Sequence, residues 1–179
     1  MKSIMIRGWT AALAASLAGC AGTGGGSAAG GMDVNRTHLG QPIARAQIAV
    51  EPANAAAQNN PEFAAYQAAV ARELVRHGYT VVPAVGTSEQ VARIDVRQGS
   101  HAAMTTGWAG VQPRRDNAAL TATLLDVRIQ RRSDGTVYWQ GRAVDEAPAD
   151  ADRTAMVSRL ASALFRDFPG ESGRTIRVR

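Results

Sequence analysis

Two runs of sequence decide the fold: Ala119-Leu-Thr-Ala-Thr-Leu-Leu-Asp-Val-Arg-Ile129 and Thr136-Val-Tyr-Trp-Gln-Gly-Arg-Ala-Val144. Both alternate apolar and polar residues with period two, the signal of a half-buried strand. Between them, Ser133-Asp134-Gly135 suits a three-residue hairpin loop with glycine in the left-handed position. Such a loop sets Leu125, Val127 and Ile129 opposite Ala143, Gly141 and Trp139 on one face. The other face then carries Asp126 opposite Arg142, Arg128 opposite Gln140, and Gln130 opposite Tyr138. A two-residue loop would shift the register and mix the faces, so the longer loop is expected. In this register Trp139 belongs to a core rather than to a ligand platform. Asp126 and Arg142 form a surface ion pair worth under about 1 kcal/mol.

After the hairpin, Asp150 or Asp152 caps a helix carrying Met156, Leu160 and Leu164 in one stripe, with Val157, Ala161 and Phe168 beside it. Phe168-Pro169-Gly170 ends it, and Thr175 to Val178 reads as a short final strand. Before the hairpin, Arg45 to Pro52 reads as a strand. Asn60-Pro61-Glu62 is a helix start, followed by Phe63, Tyr66, Val70 and Leu74 at helical spacing. Arg76 and His77 suit the last turn and Gly78 the position after it. Tyr79 to Pro83 and Val91 to Gln98 are further strands, Ile94 and Val96 alternating in the latter. Residues 99–117 show no periodicity and read as a long loop. The order β-α-β-β-β-β-α with a final short strand implies an α+β two-layer sandwich. Its mixed sheet would have both helices packed on one face.

The N-terminus has a different character. Lys2 and Arg7 precede a short apolar stretch from Trp9 to Leu17, too short to span a bilayer. Leu17-Ala18-Gly19-Cys20 then resembles a lipobox, in which the Cys20 thiol takes a diacylglycerol thioether. The expected organisation is a lipoprotein signal peptide over 1–19, lipidated Cys20 with a flexible Gly/Ser/Ala tether over 20–40, and one α+β domain over 41–179. Asp, the usual inner-membrane retention residue, does not follow Cys20. The expected location is therefore the periplasmic face of the outer membrane. Cys20 is the single cysteine, so no intramolecular disulfide is available.

Removing residues 1–19 leaves 160, enough for one domain with a proper core. The precursor has 20 Lys+Arg against 15 Asp+Glu. Lys2 and Arg7 leave with the signal, so the mature chain carries 18 against 15. Three excess charges do not make a basic stripe, and nucleic acid is not an expected partner.

Several pieces together resemble the lipoprotein family called domain of unknown function 4136. They are the lipobox ending at Cys20, Leu74-Val75-Arg76-His77-Gly78-Tyr79, Ile94-Asp95-Val96 and Leu124-Leu125-Asp126. Tyr138-Trp139-Gln140-Gly141-Arg142-Ala143 and Ala163-Leu164-Phe165-Arg166-Asp167-Phe168-Pro169 complete the set. The resemblance covers about residues 45–170. It leaves the 99–117 loop and the tail after Pro169 unmatched. It implies a small envelope domain and brings no activity with it.

No catalytic, metal or cofactor constellation is evident. His38, His77 and His101 are scattered without ligand spacing, and read as exposed or capping histidines. The glycines at 22–31 follow no strand and make no phosphate loop. Arg131 and Arg132 at the hairpin read as solvated. An exposed Trp108 with Arg114 and Arg115 nearby has the make-up of a binding surface. The leading expectation is a non-enzymatic accessory module for an envelope partner, attached to the membrane by its lipid. The alternative is a carrier or sensor of a small hydrophobic molecule, held between sheet and helices. That role requires open space around Trp139 and Leu160. A hydrolase ranks third.

Overall fold

The hairpin forms in the expected register. β5 (Leu120–Arg131) and β6 (Val137–Pro148) pair antiparallel, with Leu125, Val127 and Ile129 opposite Ala143, Gly141 and Trp139. Asp126 and Arg128 stand opposite Arg142 and Gln140. Gly135 has φ +72°, and its N–H donates to the Arg131 carbonyl at 2.9 Å. That left-handed backbone suits glycine, which has no Cβ to clash. One pairing is corrected. The register shifts between Ile129 and Gln130, so Gln130 faces Val137 rather than Tyr138, a bulge placed next to the turn.

The computed structural model describes residues 31–83, 86, 88–112 and 117–179. Among these, the chain begins with β1 (Met32–His38), β2 (Gln47–Pro52), α1 (Ala55–Gln58), α2 (Phe63–Arg76), β3 (Thr80–Val82), β4 (Gln90–Gly99) and α3 (His101–Met104). After the hairpin come α4 (Arg153–Phe165) and β7 (Arg174–Val178). The strands form one mixed sheet in the order β3-β2-β4-β5-β6-β1-β7. β2 is parallel to β3 and β4, and the other pairings are antiparallel. α2 and α4 bury their apolar stripes on one face of the sheet, giving the expected α+β two-layer sandwich. No described helix is long and apolar enough to cross a membrane.

Strand β1 corrects the expected boundary between tether and domain. Residues 32–38 lie not in a tether but in the sheet, between β6 and β7. Their sequence hides this, because Asp33, Asn35 and Arg36 are polar yet buried, and Val34 is the lone apolar residue fully enclosed. Each polar group has a partner that only the folded chain provides. Asn35 donates to the Thr175 hydroxyl at 3.1 Å, and Asp33 accepts from Arg177 at 3.1 Å.

Arg36 has the most demanding role. Its Nε donates to the Leu164 carbonyl at 2.9 Å, and its Nη2 to those of Ala163 at 3.0 Å and Arg166 at 2.8 Å. The last carbonyls of a helix have no partner within it, and a cation suits that negative end of the dipole. Arg36 therefore closes the end of α4 from the neighbouring strand. At its start, α4 is capped as expected by Asp152, whose carboxylate accepts from the Ala155 N–H at 3.0 Å. In α2 the cap position is Glu62 rather than Asn60. Asn60 holds the preceding turn instead, its side chain accepting from the Glu62 N–H at 2.8 Å. His77 closes α2 as expected, and its ring lies 5.3 Å from that of Phe168.

Between the layers, the Trp139 indole packs 5.3 Å from Phe165 and 5.1 Å from Phe168, its N–H donating to the Pro169 carbonyl at 2.9 Å. Gly141 makes this possible. A Cβ there would lie 2.2 Å from the Trp139 ring and 2.6 Å from Leu164. The space that a hydrophobic-ligand carrier would need around Trp139 and Leu160 is therefore filled, with both side chains fully enclosed.

Two substitutions test this packing by thermal denaturation. Gly141→Ala should cost about 3 kcal/mol through overpacking, lowering Tm by roughly 6–12 °C. An unchanged Tm would mean that the indole moves aside freely. Arg36→Met keeps the apolar stem but strands three carbonyls, and should cost about 3 kcal/mol. A stability equal to that of the parent chain would show that water replaces the guanidinium at no penalty.

Candidate functional site on the sheet face opposite the long helices

Side chains on a strand alternate between faces, so the residues that do not meet α2 and α4 project together on the opposite side. The strand register orders them into three rows. Glu51, Arg93, Arg128, Gln140 and Thr37 make the first, and Asp95, Asp126, Arg142, Asn35 and Thr175 the second. Arg97, Leu124, Val144, Asp33 and Arg177 make the third.

Like charges face each other twice, Arg93 across from Arg128 and Asp95 across from Asp126. Such pairs are destabilising in a sheet. They are offset by neighbours of opposite sign: Arg97 lies 3.3 Å from Asp95, Arg128 3.4 Å from Asp126 and Arg93 3.5 Å from Glu51. The two signs differ in depth. The Asp126 side chain is 5% exposed, whereas that of Arg128 above it is 49% exposed. Glu51 is likewise buried beneath Arg93. Burial pushes the Glu51 carboxyl up. The hydrogen bond and charge of Arg132, with Arg93 and the Gly86 N–H, outweigh it and hold the group below the usual carboxylate range. Arg132 donates to Glu51 at 2.6 Å, so it is a paired rather than a simply solvated arginine. Arg131 is also tied down, to Asp134 at 2.8 Å and to the Tyr138 hydroxyl at 2.7 Å.

The expected exposure of Trp108 is corrected. Its side chain is buried, 8% exposed, in a second small cluster with Ala122, Leu124 and Val144. It is held there because α3 and the turn after it fold back over the third row. Ser100 caps α3 by accepting from the Ala103 N–H at 3.2 Å, and the Trp108 N–H donates to the Thr105 carbonyl at 3.0 Å. The 99–117 loop is thus structured through this part. Arg114 and Arg115 lie outside the described residues, as does Cys20.

His101 is corrected too. It is buried in α3 with Nε2 2.9 Å from Asp33 Oδ2, so it is neither an exposed nor a capping histidine. His38 is half-buried, with Nε2 3.0 Å from the Gly170 carbonyl oxygen. Among the described residues no group of three or more His, Cys, Asp or Glu could hold a metal ion.

Over the Trp108 ring lies the Arg142 guanidinium, 4.9 Å from the ring centre. This contact replaces the expected surface ion pair. Asp126 is buried and accepts from Gln140 at 3.0 Å on each oxygen, and from Arg128 at 3.4 Å. Arg142 instead donates to the Asn35 side-chain oxygen at 3.2 Å. Burial pulls the Arg142 pKa below its ordinary value. Asp126 opposes that shift, and Arg128 and Arg97 add to it. The aromatic plane beneath and the amide beside it fix the guanidinium in one orientation. Composition could hint at Trp108 and Arg142 separately. Their stacking follows from the fold of residues 99–112 and left no local signal.

A separate cleft of about 210 Å³ opens where β4 runs past the end of β2, between Phe63, Tyr66, Ile94, Asp95 and Arg97. Glu62 next to it accepts from the Tyr66 hydroxyl and from Arg153 at 2.8 Å. The Tyr66 bond, ahead of the Arg153 contribution, holds the Glu62 carboxyl low.

No family model matches the chain, so the resemblance to domain of unknown function 4136 gains no support from that comparison. An uncharacterized protein of Zymomonas mobilis is 42% identical over 60 residues, 32% of this chain and 23% of that protein. The match thus spans less than a quarter of the relative's length. Among solved structures, a PDZ domain protein from Parabacteroides distasonis aligns with a TM-score of 0.54 at 12% identity, covering 82% of this chain and 38% of that one. A PelC dodecamer from Paraburkholderia phytofirmans gives a TM-score of 0.47 at 15% identity, over 74% of this chain and 94% of that one. A lipoprotein from Neisseria meningitidis gives 0.40 at 16%, over 70% and 99%. At such identities the likeness is one of fold.

Proposed function

We propose that the protein is a non-enzymatic binding module of the bacterial envelope that meets its partner through the face of the sheet opposite α2 and α4. One observation carries this reading. A seven-stranded sheet wears its two long helices on one side, while its other side presents exposed guanidinium groups above buried carboxylates. Rows that set like charges side by side cost stability. Natural sequences break local rules of this kind chiefly at functional sites. Apart from Arg142, the charged groups described in these rows pair with one another, which suits recognition better than proton transfer.

Attachment belongs to the same reading. Lipidation at Cys20 would leave residues 21–31 as a tether ending where β1 begins. A glycine-rich chain of that length has a root-mean-square reach of about 18 Å. The absence of Asp after Cys20 favours the periplasmic face of the outer membrane. Membership in the domain of unknown function 4136 family rests on the residues quoted for it. Arg114 and Arg115 stay in the proposed surface on sequence grounds, with Trp108 as the support beneath Arg142 rather than an exposed anchor.

Site-placed photocrosslinking in cells, using the natively lipidated chain, tests the reading. A crosslinker at Gln130 or Gln140 on the free face should yield a discrete adduct. One at Arg72 on α2, on the helix side, should yield none. Adducts from Arg72 alone, or none from either face position, would sink the proposal. A Cys20→Ala chain should lose the face adducts if the anchor is needed to reach the partner.

A further inference from the structure

The Arg142 guanidinium is under-neutralised for its position. An arginine has five N–H donors, and among the described residues Arg142 uses one of them, to Asn35. Among the described residues it forms no ion pair; Asp126, which acts on its charge, is hydrogen-bonded to Gln140 and paired with Arg128. Its guanidinium rests on Trp108 and the residue is half-buried, and among the described residues the remaining N–H donors have no hydrogen-bond partner. Arg128 on β5 and Arg97 on β4 act on it electrostatically, so three arginines on adjacent strands share one region of the face. Among the described residues Arg97 pairs with Asp95 and Arg128 with Asp126, so Arg142 is the one of the three without an ion pair.

We propose that this cluster is a carboxylate-binding site, with Arg142 as its fork and Arg128 and Arg97 as flanking charges. The proposal rests on the reading of the free face as a recognition surface and names the chemistry of what that surface takes. Three features select a carboxylate. The single unmatched charge fits a monoanion better than a phosphate monoester, which carries up to two negative charges. The planar guanidinium edge matches two coplanar oxygens in a bidentate pair. The Trp108 stack and the Asn35 amide orient that edge before any ligand arrives, so little side-chain entropy remains to be lost on binding.

The test is calorimetric titration of the full chain in a neutral detergent, with a glutamate hexapeptide as the carboxylate probe. Inorganic phosphate and phosphatidylglycerol vesicles serve as the other arms. The parent chain should bind the hexapeptide, and Arg142→Gln should weaken it by about tenfold or more, as expected for a lost charge-assisted pair. Arg128→Gln, which alters a half-exposed side chain and guards against misfolding at position 142, should weaken it less. Arg72→Gln, on the helix side, should leave binding unchanged. Equal binding by the parent and Arg142→Gln chains, or no hexapeptide binding at all, overturns the proposal. So does Arg142-dependent binding of phosphate or vesicles in its place. Photocrosslinks from the free face without hexapeptide binding would remove this inference and leave the binding-module reading standing. Arg142-dependent hexapeptide binding without face crosslinks would do the reverse.

Discussion

The last turn of α4 ends inside the protein, and its carbonyls need donors that the helix itself cannot supply. Arg36 supplies them from β1, reaching Ala163, Leu164 and Arg166. Much of the architecture follows from that requirement. β1 must lie beneath the end of α4, so it enters the sheet between β6 and β7 rather than trailing outside. Trp139 then fills the adjoining space against Phe165 and Phe168, over a glycine that leaves it room. Sheet, helix and the chain after the helix are tied at one place.

With both long helices committed to that side, the other face carries the rows of charged and polar residues, the small apolar cluster of Trp108, and the buried Ala49 and Val91. The two sides solve different problems. The helix side removes apolar surface from water, the main source of stability. The free side keeps buried carboxylates satisfied by arginines and amides, an arrangement worth less to stability than hydrophobic residues of the same shape. Arg142 shows the distinction best. It is positioned by an aromatic ring and an amide rather than neutralised by a carboxylate.

The hairpin, both long helices and the final strand were legible, because each carries a local pattern: period two with a turn glycine, or period 3.6 with a cap. The core role of Trp139 followed from the hairpin register alone. Strand β1 was not legible. Its buried residues are Asp33, Asn35 and Arg36, and their partners Arg177, Thr175 and the α4 carbonyls lie more than 120 residues away in sequence. Trp108 and His101 were misjudged for the same reason. Trp108 packs on Leu124 and Val144 and beneath Arg142, and His101 meets Asp33, contacts made between segments distant in sequence.

The sequence by itself therefore determined the α+β class, the hairpin register and the identity of the residues on each face of β5 and β6. Local backbone preferences and side-chain periodicity act over a few residues and can be read along the chain. Only the tertiary structure decided where β1 lies, which arginines are neutralised, and that Trp108 supports Arg142 instead of meeting solvent. The physical reason is that burial of a polar group depends on its partner, and that partner can come from any part of the chain.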